Sequence, residues 1–217
     1  LSTLAVNETT DPATALRLHE AAARAQPDNP TLRFNFGNAL LRQNRDLERA
    51  AAEFAAAVRL TPRFTTAHMD LGTALSRLGR DDAALAAYRK AVEVGPDDPA
   101  AHYNLGNFLE KRDPAEAERA YQTAIDLDPA YTAAHNQLGL LWKRQGRPDR
   151  AIAALRRAVE LEPKDPRYRT NLGNAYTAAG RFADAAAAYA RAAADGPKYA
   201  DAPYNWGVLL DKQKKPK

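Results

Sequence analysis

Apolar residues recur along the chain at three- and four-residue spacing, broken at regular intervals by polar turns. Leu71 and Leu75, or Leu105 and Leu109, stand one helical turn apart, and so do members of the sets Ala84, Tyr88, Ala91 and Ala151, Leu155, Ala158. This period is helical, not the alternation of a strand. Each such set places a large residue between two small ones: Phe54 between Ala50 and Ala57, Tyr121 between Ala117 and Ala124, Tyr189 between Ala185 and Ala192. Small residues seven apart share one helix face and let a paired helix approach.

Glycine and proline set the length of the unit. Gly37, Gly72, Gly106, Gly139, Gly173 and Gly207 are separated by 35, 34, 33, 34 and 34 residues, and Pro27, Pro62, Pro96, Pro129, Pro163 and Pro197 keep the same intervals. Two residue types carrying one spacing mark an internal repeat of about 34 residues. All 11 glycines fall in one of three places of it, namely inside the first helix, at its end (Gly79, Gly146, Gly180), or just before the proline (Gly95, Gly196). Pro12, Pro114 and Pro148 precede the first alanine of a pair by three residues, which puts them in the first turn of a second helix, where the missing N–H costs nothing.

The chain therefore reads as all-α, a stack of antiparallel helix pairs. Expected units are a partial repeat at 1–29, five full repeats at 30–64, 65–98, 99–131, 132–165 and 166–199, an unpaired first helix at 200–213 and a flexible basic tail at 214–217. Residues 12–26 read as a second helix with His19 between Ala15 and Ala22, and Thr3 to Val6 as the tail of a first helix. The unit at Pro30 has one extra residue in its internal turn, at Asn44 to Asp46, and the unit at Pro99 has one fewer. Both ends look cut, so the expectation is a fragment of a longer array or an end that packs on another chain, since solenoids need polar caps.

The row Leu71, Gly72, Leu75, Ala84, Tyr88, Ala91, Pro96, repeated as Leu138, Gly139, Trp142, Ala151, Leu155, Ala158, Pro163, resembles the tetratricopeptide repeat over residues 12 to 212. The resemblance implies a right-handed superhelical α-solenoid whose first helices line a concave surface. It also implies tryptophan in the fourth place of each unit, where this chain has Arg33, His68, His102, His135, Arg169 and Pro203.

On the implied concave face, the residue two before each glycine reads Asn35, Asp70, Asn104, Gln137, Asn171 and Asn205. A carboxamide carries both a donor and an acceptor, so such a row would bond the backbone of an extended peptide with little regard to its side chains. It is similar to the asparagine ladder of the protein O-linked N-acetylglucosamine transferases. Asn38, Thr73, Asn107, Leu140, Asn174 and Val208 lie one turn along, and Phe34, Met69, Tyr103, Asn136, Thr170 and Tyr204 one turn back from these. From these sets Asn38, Asn107, Asn174, Tyr103, Asn136 and Tyr204 join the expected peptide-binding residues. Arg42, Arg77, Lys111, Arg144 and Lys212, at the ends of first helices, form a basic rim suited to acidic ligands, although helix dipoles alone favour cations there.

Composition narrows the rest. There are 31 basic residues against 27 acidic ones, a net charge of +4, with no basic block before the tail, so no nucleic-acid partner is expected. The absence of cysteine excludes disulfides, thiolate metal sites and a cysteine nucleophile. Equivalent histidines His68, His102 and His135 lie on helices packed about 8–10 Å apart, too far to share a zinc ion at about 2.1 Å, so no metal and no cofactor are expected. No motif for phosphate binding, serine hydrolysis or zinc proteolysis is present.

The carboxylate clamp of chaperone-binding relatives needs lysine in the fifth place and basic residues in the second and sixth. The chain offers Phe34, Tyr103 or Asn136 in the fifth and only Arg167 in the second. No stretch is apolar enough to insert in a membrane and no signal peptide is evident, which puts the protein in a soluble compartment, the cytoplasm ahead of the periplasm. The expected function is a non-enzymatic scaffold gripping an extended peptide or protein segment, acidic ones included. The alternatives are a substrate-presenting domain of a larger enzyme such as a glycosyltransferase, and a scaffold self-associating through the uncapped C-terminal helix.

Overall fold

A computed structural model describes residues 11–44, 46–196 and Gly207. The expectations placed on residues 1–10, 197–206 and 208–217, including Pro203, Tyr204, Asn205, Val208 and Lys212, fall outside the described residues. Eleven helices and no strand are found among those described. They divide into two compact units, Leu1–Phe108 and Leu109–Lys217.

The first unit runs through α1 (Pro12–Ala25), α2 (Pro30–Arg42), α3 (Leu47–Leu60), α4 (Thr65–Arg77), α5 (Asp81–Val94) and nearly all of α6 (Pro99–Leu109). Here α2 packs on α3 and α4 on α5, while α3 also packs on α4 and α1 on α2. The second unit holds α7 (Pro114–Leu127), α8 (Thr132–Arg144), α9 (Pro148–Leu161), α10 (Pro166–Ala178) and α11 (Phe182–Asp195). Its pairs are α8 with α9 and α10 with α11, and α9 also packs on α10, α7 on α8 and α8 on α10.

Local chemistry sets the helix limits. Asp11, Asn29, Asp46, Asp113 and Asp165 each accept a backbone N–H of the first turn they precede. Pro12, Pro114 and Pro148 occupy the first helical turn as their spacing requires. Asp98 caps the N–H of Ala100 at 2.9 Å, whereas Asp81 and Asp82 lie inside the first turn of α5 and favour it through the helix dipole instead. At Gly79, with φ +72°, the chain turns left-handed and the N–H of Arg80 bonds the carbonyl of Leu75 at 2.9 Å, the Schellman closure. The extra residue in the α2–α3 turn is accommodated by a different device, in which Asn44 and Asp46 both adopt positive φ, 49° and 45°, a region these two residue types tolerate.

The small-large-small faces form the core. Ala50, Ala57, Ala84, Ala91, Ala151, Ala158, Ala185 and Ala192 are fully buried, and Phe54, Tyr88, Leu155 and Tyr189 are buried between them. In four first helices the glycine faces the large residue of the paired helix, and at Gly139 the Ala151 carbonyl also comes close, 3.2 Å from where a methyl would sit. The glycine makes room for the large residue: a methyl on Gly37 would lie 2.8 Å from the Phe54 ring, on Gly72 2.9 Å from Tyr88, on Gly139 2.6 Å from Leu155, and on Gly173 2.5 Å from Tyr189. The ring or leucine packs on bare backbone, and that contact offsets the roughly 1 kcal/mol that glycine costs a helix.

Candidate functional site

The fourth place of each unit, where the repeat resemblance called for tryptophan, has a shared structural role. His68 Nε2 lies 3.0 Å from the Pro62 carbonyl, His102 Nε2 2.8 Å from Pro96 and His135 Nε2 3.1 Å from Pro129. Arg33 Nε reaches Pro27 at 2.9 Å, and Arg169 Nη1 bonds the Pro163 carbonyl. In all five units the side chain bonds the carbonyl six residues back, across the turn between repeats. A carbonyl only accepts, so each histidine Nε2 carries the proton. Arg33 and Arg169 also reach forward to Glu53 and Asp195 on the second helix of their own unit. These residues hold the turn, and among the described residues no three side chains gather that could ligate a metal.

The sixth-place row is half-buried wherever it is described, at Asn35, Asp70, Asn104, Gln137 and Asn171. Much of its hydrogen bonding is internal. Asn104 Nδ2 donates to the Ala100 carbonyl at 2.8 Å and approaches Met69 Sδ at 3.3 Å. Asn171 Nδ2, on α10, donates to Asn136 Oδ1 on α8 at 2.8 Å, and Asn136 Nδ2 donates to Gln137 Oε1 at 3.1 Å. The amides thus tie neighbouring first helices together through their N–H groups. Asp70 replaces the amide in α4. Burial pushes its carboxyl up to about 6, against the opposing effects of a hydrogen bond from Asn38 and the charge of Arg42.

The flanking places divide by environment. Phe34 stacks on Phe54 and Phe64 with centroids 5.9 and 4.8 Å apart, and Met69 is buried. Both are core residues. Tyr103 and Asn38 are half-buried and Asn107 is exposed. Asn174 Oδ1 accepts from the Tyr189 hydroxyl at 2.7 Å, which ties it to the second helix of its pair.

Of the basic rim, Arg42 and Lys111 are exposed at their helix ends. Arg77 donates to the Leu41 carbonyl at 3.3 Å, and Arg144 pairs with Glu110 at 2.8 Å. A second set of cations went unnoticed in the sequence. Arg49 with Glu20 (2.6 Å), Arg80 with Glu48 (2.8 Å) and Arg147 with Glu118 (2.8 Å) each link one second helix to the start of the next, and the pairs fall at differing places of the repeat, so its spacing gives no sign of them. Lys143, half-buried on α8, was also missed, because its sequence neighbours resemble an ordinary basic helix end.

Against known proteins, the tetratricopeptide repeat model matches residues 8–63, 36–99, 69–112, 107–166, 143–203 and 170–216, together covering nearly the whole chain. The chain belongs to the tetratricopeptide repeat family. Among curated proteins, tetratricopeptide repeat protein 37 of Xenopus laevis is 39% identical over 69 residues, a match spanning 32% of this chain and 4% of that protein. The crystal structure of MamA aligns with a TM-score of 0.66 and 24% identity over 79% of this chain and 93% of that one. That of YrrB, described as a TPR protein with an unusual peptide-binding site, aligns at 0.64 and 24% identity over 88% and 98%. At these identities the likeness is one of fold, an all-α repeat solenoid. Tetratricopeptide repeat proteins are in general non-catalytic, and membership makes the chain a protein–protein interaction scaffold. No helix among the described residues is long and apolar enough to cross a membrane.

Proposed function

We propose that the tetratricopeptide repeats bind an extended peptide or protein segment along the first-helix face, through the amide row Asn35, Asn104, Gln137 and Asn171 with Asn136. The observation that carries this reading is how the amides are used. Asn104 and Asn171 each spend an N–H on the protein, and their oxygens take no donor among the described residues. A side-chain amide fixed by its nitrogen presents a pre-oriented acceptor to a backbone N–H, which reduces the ordering cost of binding. Each contact contributes about 0.5–1.5 kcal/mol net, so several together support roughly micromolar affinity.

Asn38, Asn107, Asn174 and Tyr103 supply further contacts in this reading, and Arg42, Arg77, Lys111 and Arg144 favour an acidic partner. The peptide-binding site named for YrrB, a fold neighbour, is consistent with such a role.

The test is a peptide selected on the protein from a random display library, titrated by calorimetry against the wild type and the double variant Asn104→Ala, Asn171→Ala. Affinity about tenfold weaker or more with an unchanged unfolding midpoint is expected. Equal affinity removes the amide row from the mechanism.

A further inference from the structure

Around the end of α8 the chain supplies acids to its own cations. Arg144 meets Glu110 and Arg147 meets Glu118, each at 2.8 Å. Lys143 lies beside them, half-buried, and has neither an ion pair nor a hydrogen bond among the described residues. Lost hydration lowers its ammonium from the ordinary lysine range, and the neighbouring Arg144 charge acts in the same direction. Lysine usually extends its stem so that the head stays in water. A half-buried ammonium next to another cation is unfavourable until a counter-ion arrives.

Its place on the helix gives this cation a role. Asn136, Leu140 and Lys143 follow one another at four and three residues, so they form one stripe along α8. Asn136 is the residue that joins α8 to Asn171 of α10. At about 1.5 Å rise per residue, Lys143 stands roughly 10 Å along the axis from Asn136, the span of about three residues of extended peptide.

We propose that Lys143 is an acidic-side-chain subsite of the peptide face: an aspartate or glutamate of the bound segment pairs with Nζ, about three residues from the part held by Asn136 and Asn171. The inference rests on the peptide-binding reading above and adds to it the charge class of the ligand. It also separates Lys143 from the exposed rim, because Arg144 is already satisfied by Glu110 and Lys143 is not.

Fluorescence polarisation with end-capped, labelled peptides of alternating serine and glutamate, serine and glutamine, or serine and lysine tests this, since capping removes the terminal carboxylate as a competitor. The glutamate peptide is expected to bind about tenfold tighter than the glutamine peptide, the ratio for one charge-assisted contact. Lys143→Gln should lower that ratio several-fold, to what the exposed rim alone contributes, while Arg119→Gln, an exposed change of the same charge on α7, should preserve it. Thermal unfolding of Lys143→Gln should be unchanged or raised, because the substitution removes a desolvated charge.

A ratio left unchanged by Lys143→Gln, or a glutamate peptide that does not bind at millimolar concentration, overturns the inference. Asn136→Ala with Asn171→Ala should weaken the glutamate and glutamine peptides alike. A normal response to that pair with an insensitive Lys143 would remove the subsite alone, and the opposite pattern would remove the amide contacts alone.

Discussion

His68 Nε2 bonds the carbonyl of Pro62 at 3.0 Å, so the residue in the tryptophan place of this repeat fastens the turn that leads into its own helix. Histidine and arginine do this interchangeably along the chain, since both present an N–H at the reach required. His135, less buried than His68, gives the cleaner test. His135→Ala should cost about 1 kcal/mol in urea unfolding, the net value of one hydrogen bond, and His135→Arg should restore most of it. If alanine and arginine behave alike, the bond to Pro129 contributes nothing.

Gly72 lies under the ring of Tyr88, and alanine there should destabilise the fold despite its better helix propensity. The added methyl would sit 2.9 Å from the ring, and overpacking of this kind costs about 1–3 kcal/mol. In a double-mutant cycle with Tyr88→Leu, the Gly72→Ala penalty should shrink, because the smaller side chain vacates the space. Additive effects would show that the two residues do not share the volume.

Asp70 links stability to pH. Its carboxyl is pushed up to about 6 in the folded protein from an ordinary value of 3.8, so the folded state holds its proton more tightly than the unfolded chain does. Its contribution is therefore complete below about pH 4 and is lost as pH rises through about 6. Asp70→Asn should raise stability at pH 7.5 relative to the wild type by on the order of 1 kcal/mol, solvent screening of a half-buried group reducing the full effect. The gain should vanish near pH 3.5 in chemical denaturation. A gain independent of pH would place its origin elsewhere.

The repeat length, the helix pairs and the packed faces were legible because they depend on residue size recurring in phase: Ala84, Tyr88 and Ala91 announce a core face whatever surrounds them. The partner of each glycine was not legible. Whether Gly72 meets an alanine backbone or the Tyr88 ring depends on the rotation of one helix about its axis, which spacing along the chain leaves open. Nor could the sequence assign His68 to Pro62, since that bond requires the chain to fold back over the turn.

The amide row was found by position, yet the commitment of Asn104 and Asn171 nitrogens to the protein itself depends on distances between helices. Lys143 was passed over for a similar reason. Lys143, Arg144 and Arg147 stand within five residues of one another, and only the geometry tells which of these cations the chain has already neutralised.

The most direct measurement is amide and side-chain NMR of the isotopically labelled protein during titration with a peptide selected on it. The side-chain NH2 signals of Asn104, Asn136 and Asn171 should shift with the peptide, together with first-helix backbone signals, while second-helix residues such as Arg59 and Arg156 stay in place. Shifts concentrated on the second helices, with those three amides unmoved, would contradict binding along the first-helix face.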